Sequence, residues 1–143
     1  MPSQPPELTP SKPQYLTPAG MGPPEEPYTL AIRCGDQVFL AGAVALDAAN
    51  KVVGQGDPQR QAEQCWDNIE LAVEAAGGTL ADVMKITVYY TDIRFMHDEI
   101  AVRRQRFPQG RYPVCTIVQV ANLGLPDLLM EIDATAVLGA GSL

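Results

Sequence analysis

Few side chains in this sequence can do chemistry, and their types restrict what the protein can be. His97 is the single histidine. A His-based catalytic triad or a multi-histidine metal site would have to form around that one residue. The three cysteines, Cys34, Cys65 and Cys115, are odd in number and lack CxxC spacing. That pattern fits a reducing cytoplasm and neither a disulfide framework nor a zinc site. Cys115 can be a nucleophile where a nearby cation or base stabilises its thiolate, and can equally be a small buried core residue. Cys34 and Cys65 read as structural. Glu131 shares one parity with Asp133 and Thr135 on a β-prone run, and on the residues alone a solvated or interface face is the better reading. Arg103, Arg104, Arg106 and Arg111 form the one basic cluster. The first three suit the C-terminal end of a helix, where cations meet the negative end of the dipole. His97 reads as an exposed helix residue and Trp66 as interface or core. No metal and no cofactor is expected.

The elements that must position these groups come from a chain of 143 residues, one domain's worth of protein. Apolar residues make up 46% and charged residues 19%, a globular balance. The formal net charge of −7 repels phosphate backbones and argues against general nucleic-acid binding. No apolar run approaches the roughly 18 residues of a membrane span. No basic region followed by an apolar stretch opens the sequence, so no secretory signal is expected. The expectation is a soluble, cytoplasmic protein.

Residues 1–27 stand apart, with nine of the 13 prolines and no apolar periodicity. Proline fixes φ and lacks the N–H, so this segment is expected to be an extended arm rather than helix or sheet. The domain proper, 28–143, opens with two β-prone runs around Cys34-Gly35-Asp36-Gln37, a hairpin pattern. Lys51-Val52-Val53 is a weak third strand. Asp57-Pro58 supplies an N-cap and a first helical proline, and Ala62, Cys65, Ile69, Ala72, Val73 and Ala76 form one helical stripe ended by Gly77-Gly78. Thr79 to Asp82 has capping-box spacing, and residues 83–90 form a strand. A second helix is expected over about 94–106, then strands over 114–120 and 128–138. The order β-β-(β)-α-β-α-β-β is an α+β domain with a mixed sheet. Two helices cover one face only. The other face, expected to carry side chains such as Val88, Ile117 and Leu129, predicts an oligomer.

Tyr28, the hairpin end Ala41-Gly42, Gln61 to Ile69, Glu74 to Gly78, Asp82 to Tyr89, Asp92 and Leu129 to Ala134 together resemble the Rid family, the YjgF-type reactive-intermediate (enamine/imine) deaminases. The resemblance spans roughly residues 28–138. It implies a chorismate-mutase-like fold, a homotrimeric barrel, and small-molecule substrates held in clefts between subunits. It places the family's water-holding glutamate at Glu131, its pocket tyrosine at Tyr28 and its Ser-Gly at Ala41-Gly42, so the hydroxyl is lost. A helix asparagine of the family falls at Glu99. The arginine that clamps the substrate carboxylate falls at Cys115, which cannot supply a fork of N–H donors.

Three readings follow. One is a hydrolase or deaminase acting on an imine, enamine or cyclic amide, with Glu131 activating water and ordinary 2-imino-acid deamination impaired. The second replaces water attack by Cys115 attack. The third is a non-catalytic trimeric small-molecule binder or interaction protein. Arg111 is the first candidate to replace the missing clamp, and the arm is expected to lie against the neighbouring subunit or over the cleft.

Overall fold

The computed structural model describes residues 1–4 and 11–142. The arm prolines Pro5, Pro6 and Pro10 lie outside them. The described chain forms a six-stranded mixed sheet with two helices. Its strands are β1 (Gln14–Leu16), β2 (Ala31–Cys34), β3 (Gln37–Leu40), β4 (Val83–Tyr90), β5 (Val114–Gln119) and β6 (Met130–Val137), in the spatial order β1-β2-β3-β6-β4-β5. Helix α1 is Pro58–Ala75 and helix α2 is Met96–Arg106. Only β4 and β5 pair in parallel; the other neighbours are antiparallel.

Local chemistry sets the element ends. The Asp57 carboxylate accepts the Arg60 N–H at 3.0 Å, and Pro58 occupies the first helical position of α1. Gly77, at φ 91°, follows the helix where an L side chain would be strained. The expected second helix starts two residues later: Ile93–Phe95 forms a 3-10 turn on the Asp92 cap before α2 begins.

Two expectations are corrected here. The arm is not free of sheet: Gln14, Tyr15 and Leu16 pair with Arg33, Ile32 and Ala31. None of these three is proline, so their N–H groups are available to extend the edge that β2 otherwise leaves open. The weak third strand shrinks to one bridge between Leu46 and Val52.

The core lies between the sheet and the two helices. Ile86, Val88 and Tyr90 of β4 and Met130, Ile132, Ala134 and Ala136 of β6 are buried on the helix side with Trp66, Ile69 and Val73. Val88 therefore belongs to the covered face, against expectation, and Ile117, its register partner, packs there too. Period-two alternation sends the other set outward. On that outer face Lys85, Thr87 and Tyr89 pair with Thr135, Asp133 and Glu131. Apolar side chains do remain in the open: Phe39, Met84, Val114 and Val118 are among the exposed large hydrophobics.

Candidate active site

Glu131 begins as an ordinary strand residue, one step along β6 from the buried Met130 and Ile132. What distinguishes it is the chain that crosses in front. Ala43 and Ile132 exchange backbone hydrogen bonds of 2.7 and 2.9 Å, and the Ala41 N–H reaches the Leu30 carbonyl at 2.9 Å. These bonds lay Gly42 directly on the Glu131 side chain. A Cβ at residue 42 would stand 2.8 Å from the Glu131 carboxyl carbon, closer than real contacts allow. Only glycine leaves room for that carboxylate.

The carboxylate opens into a cavity of about 560 Å³ that also touches Tyr28, Ala41, Gly42 and Asn50. Glu25 and Glu26 of the arm stand at its edge, and its described lining has no lysine, arginine or histidine. Burial is the first cause that raises the Glu131 pKa above the ordinary carboxylate value, and the neighbouring Asp133 charge adds to it.

Buried polar side chains of α1 hold the walls. Gln61 is fully buried; its amide donates to the carbonyls of Gly54 and Asp127 and its oxygen accepts the Leu129 N–H at 2.8 Å. Asn68 donates to the carbonyls of Val44 and Leu46 at 2.9 and 3.0 Å. From the opposite side, the Asn50 amide donates to the Pro23 carbonyl at 2.8 Å and fixes the arm beside the cavity. Asn50 does this from φ 59°, the left-handed region that asparagine tolerates better than most side chains.

The other candidate residues are elsewhere. Cys115 is exposed and in register with Ile86, so its side chain lies on the helix side of the sheet, opposite to Glu131. On that same side Glu99 of α2 is completely buried. It accepts the Tyr90 hydroxyl at 3.0 Å and a two-point contact from Arg103, with Nε at 3.0 Å and Nη2 closer still. Burial works against the Arg103 charge, but the Glu99 contact outweighs it and raises the guanidinium pKa; the Cys115 sulfur acts electrostatically on Arg103 and on Tyr90. Burial, reinforced by Glu99, pushes the Tyr90 phenol up.

Arg111 lines a third place, a groove of about 640 Å³ beside Val83, Met84, Tyr112 and Val114. Val83 and Tyr89, the partner of Glu131, are six residues apart on β4, roughly 20 Å at the rise of a strand. The structure thus brings together Tyr28, Ala41, Gly42 and Glu131, and separates them from Cys115, Glu99 and Arg111 within one chain.

His97 is exposed on α2, and Trp66 is core, edge-on to Phe107 at 5.4 Å. Cys65 is buried and burial pushes its thiol up, as suits a structural residue. Sequence reasoning assigned Arg103 to the helix dipole and missed its union with Glu99 and Tyr90. The i,i+4 Glu–Arg spacing was the available signal. It also missed the roles of Gln61, Asn68 and Asn50, most of whose partners are more than 20 residues away in sequence, the exceptions being Gly54 for Gln61 and Gln64 for Asn68. Among the described residues no cluster has the makings of a metal site, and no helix is long and apolar enough to cross a membrane.

Comparison with known proteins bears on the fold and the family. The family profile described as Endoribonuclease L-PSP matches residues 21–138. A RutC family protein of Pyrococcus horikoshii is 35% identical over 113 residues, 79% of this chain and 88% of that one. A RutC family protein of Synechocystis is 34% identical over 116 residues, 80% of this chain and 88% of the relative. The crystal structure of RidA from an Antarctic Psychrobacter superposes with a TM-score of 0.80 at 28% identity, covering 87% of this chain and 99% of that one. The α+β architecture is the chorismate-mutase-like fold of these neighbours. With the match running from the arm's end through β6, the chain is a member of the Rid/YjgF family, whose profile bears the endoribonuclease L-PSP description.

Proposed function

We propose that the protein is a small-molecule hydrolase or deaminase that adds water to a carbon–nitrogen bond of an imine, enamine or cyclic amide. Family membership supports deaminase or endoribonuclease-like chemistry in general. The net charge of −7 and the absence of any cation from the cavity's described lining favour a small molecule over RNA.

The observation that carries the reading is the Glu131 carboxylate, half-buried against Gly42 at the floor of its cavity. A carboxyl with a raised pKa is, once ionised, a better base than an exposed one. Glu131 takes a proton from water as the oxygen bonds to the imine carbon. The same carboxyl returns that proton to nitrogen to give the carbinolamine, then moves the hydroxyl proton to nitrogen as the carbon–nitrogen bond breaks, leaving a carbonyl and ammonia. Tyr28 and the backbone at Ala41-Gly42 shape the pocket.

Glu131 and Cys115 occupy opposite faces of one sheet, so a site using both takes them from two copies of the chain. The exposed apolar side chains of β4 and β5 supply a surface for such an assembly. We read the assembly as a cytoplasmic homotrimer with clefts between its subunits. Sedimentation equilibrium should return three times the chain mass; a monomer would overturn this part of the reading.

The exposure of Cys115 favours one second reading, thiol attack on the same carbon. Cys115→Ser separates the two. Ammonia release from a panel of enzymatically generated imines should survive Cys115→Ser and vanish in Glu131→Gln under water attack. Loss in Cys115→Ser establishes the thiol route instead.

A further inference from the structure

The cavity over Glu131 has walls of two origins. The sheet supplies its floor, and residues 23–28 of the arm run along its outer side. That strap is tied at both ends. The Asn50 amide donates to the Pro23 carbonyl at 2.8 Å, and a Cβ on Gly22 would stand 2.2 Å from the Asn50 side-chain oxygen, so only glycine lets the arm lie this close. Asn50 is itself held: its N–H donates to the Asp47 carbonyl at 2.9 Å, and the Asp47 carboxylate accepts the N–H groups of Ala49 and Lys51. At the far end, the Tyr28 N–H donates to the Glu26 carbonyl at 2.8 Å in a tight turn over Pro27. Pro23, Pro24 and Pro27 restrict φ between the two ties. A segment ordered in advance loses little further freedom when a ligand arrives.

The strap brings charge to the site. Glu25 and Glu26 line the same cavity as Glu131, and every charged side chain in the described lining is a carboxylate. The Tyr28 ring, half exposed, stands beside them, and Leu46 and Leu128 give the cavity an apolar side. We propose that the strap, pinned by Asn50, makes this a site for an imine or enamine that carries a cationic amine several bonds from the reacting carbon–nitrogen bond, and that it rejects one carrying a carboxylate. This rests on the water-addition reading above and names the substrate class for that site. With the reacting carbon at Glu131, a remote ammonium group reaches the edge of the cavity, where two carboxylates balance its charge and an aromatic face attracts it. A carboxylate in the same place meets two like charges. The two strap glutamates are no site of their own; they are a wall of the site that Glu131 defines.

Three inert amides of similar length serve as probes: 4-aminobutanamide, butanamide and succinamate, which are cationic, neutral and anionic. Their binding to the full-length protein in its native assembly is followed by NMR titration. One exposed carboxylate changes the affinity for a charged group by up to about fivefold. Two of them, acting with opposite sign on the two charged probes, should separate 4-aminobutanamide from succinamate by at least about tenfold at low salt. The preference should shrink as salt rises to about 1 M, where the screening length falls to about 3 Å. The double variant Glu25→Gln, Glu26→Gln keeps the size of both side chains and should lose the preference, with butanamide binding unchanged. Asn50→Gly keeps the left-handed backbone, drops the tie to Pro23 and should weaken the preference without altering any charge. Equal binding of the charged probes, tighter binding of succinamate, or binding of none of the three overturns the proposal, as does a preference that survives the double variant. A preference that survives Asn50→Gly removes Asn50 from it. The water-addition reading fails separately. If the preference depends on Glu25 and Glu26 but Glu131→Gln still releases ammonia at the wild-type rate, the strap stands and the assignment of the base falls.

Discussion

Two glutamates show how environment divides labour in this protein. Glu131 lies on the outer face, half-buried, against a glycine and with a second carboxylate beside it. Glu99 lies on the helix face, fully buried, against an arginine and a tyrosine. Both come from regular elements. The first has lost water without gaining a cation, which leaves its carboxyl basic and available. The second has exchanged water for three fixed donors, which makes it a bracket for Arg103. A carboxylate kept unpaired in a cavity is suited to chemistry, whereas one saturated with donors is suited to positioning.

Exchanging each carboxylate for its amide tests this contrast most strongly. Glu131→Gln removes the base but keeps the shape, and kcat/KM should fall about 10²- to 10⁴-fold with the fold intact. Glu99→Gln should behave in the opposite way. It strands a guanidinium beside a poorer acceptor, and removing one partner of a buried pair costs about 3 kcal/mol. Thermal unfolding should show that loss as a drop of several degrees, whereas imine turnover at saturating substrate should change less than in Glu131→Gln. If both variants lose activity equally with stability unchanged, the division of labour is wrong.

Gly42→Ala probes the room that Glu131 needs. Its new Cβ would fall 2.8 Å from the Glu131 carboxyl carbon, so the carboxylate must move. A displacement of about 1 Å from a productive position can cost on the order of 10²-fold in rate. Activity should drop by that order with little change in unfolding temperature, since the carboxylate can swing into the cavity. Full activity in Gly42→Ala would show that the base does not need its present position.

How much of this the sequence reveals depends on the range of the interaction. The Asp57-Pro58 start of α1 and the Thr79–Asp82 capping box are local and legible, because cap and partner lie within four residues. The parity of Glu131, Asp133 and Thr135 is legible as well. Which face they occupy is not, because strand alternation gives two sets and only packing says which one the helices cover. That is why Val88 and Ile117 were assigned to the open face. The β1 strand was hidden by the prolines around it, although three residues without proline suffice for pairing. Glu99 and Arg103 announce their pairing by spacing, but Tyr90 enters only through the fold. Gln61 and Asn68 look like polar residues on a helix until Leu129, Val44 and Leu46 are brought to them.

The smallest effect expected is also the most specific to the outer-face carboxylate. Glu131 titrates above its ordinary value first because of burial and then because of Asp133. For a base, activity requires the ionised form, so the acid limb of kcat/KM should lie at higher pH than an exposed glutamate would give. Asp133→Asn removes the second cause and leaves the first. The limb should therefore move toward lower pH, and should not reach the ordinary carboxylate value, because burial, the larger cause, remains. Stability carries the same sign. A carboxyl whose folded pKa is raised favours the folded state while protonated, and that contribution is lost as pH rises through the folded pKa. In Glu131→Gln this pH dependence should disappear, and the neutral-pH unfolding temperature should rise. In Asp133→Asn it should shrink in step with the kinetic limb. A limb that stays fixed in Asp133→Asn, or moves upward, would mean that the titrating group is not Glu131, and the base would have to be sought on the other face of the sheet.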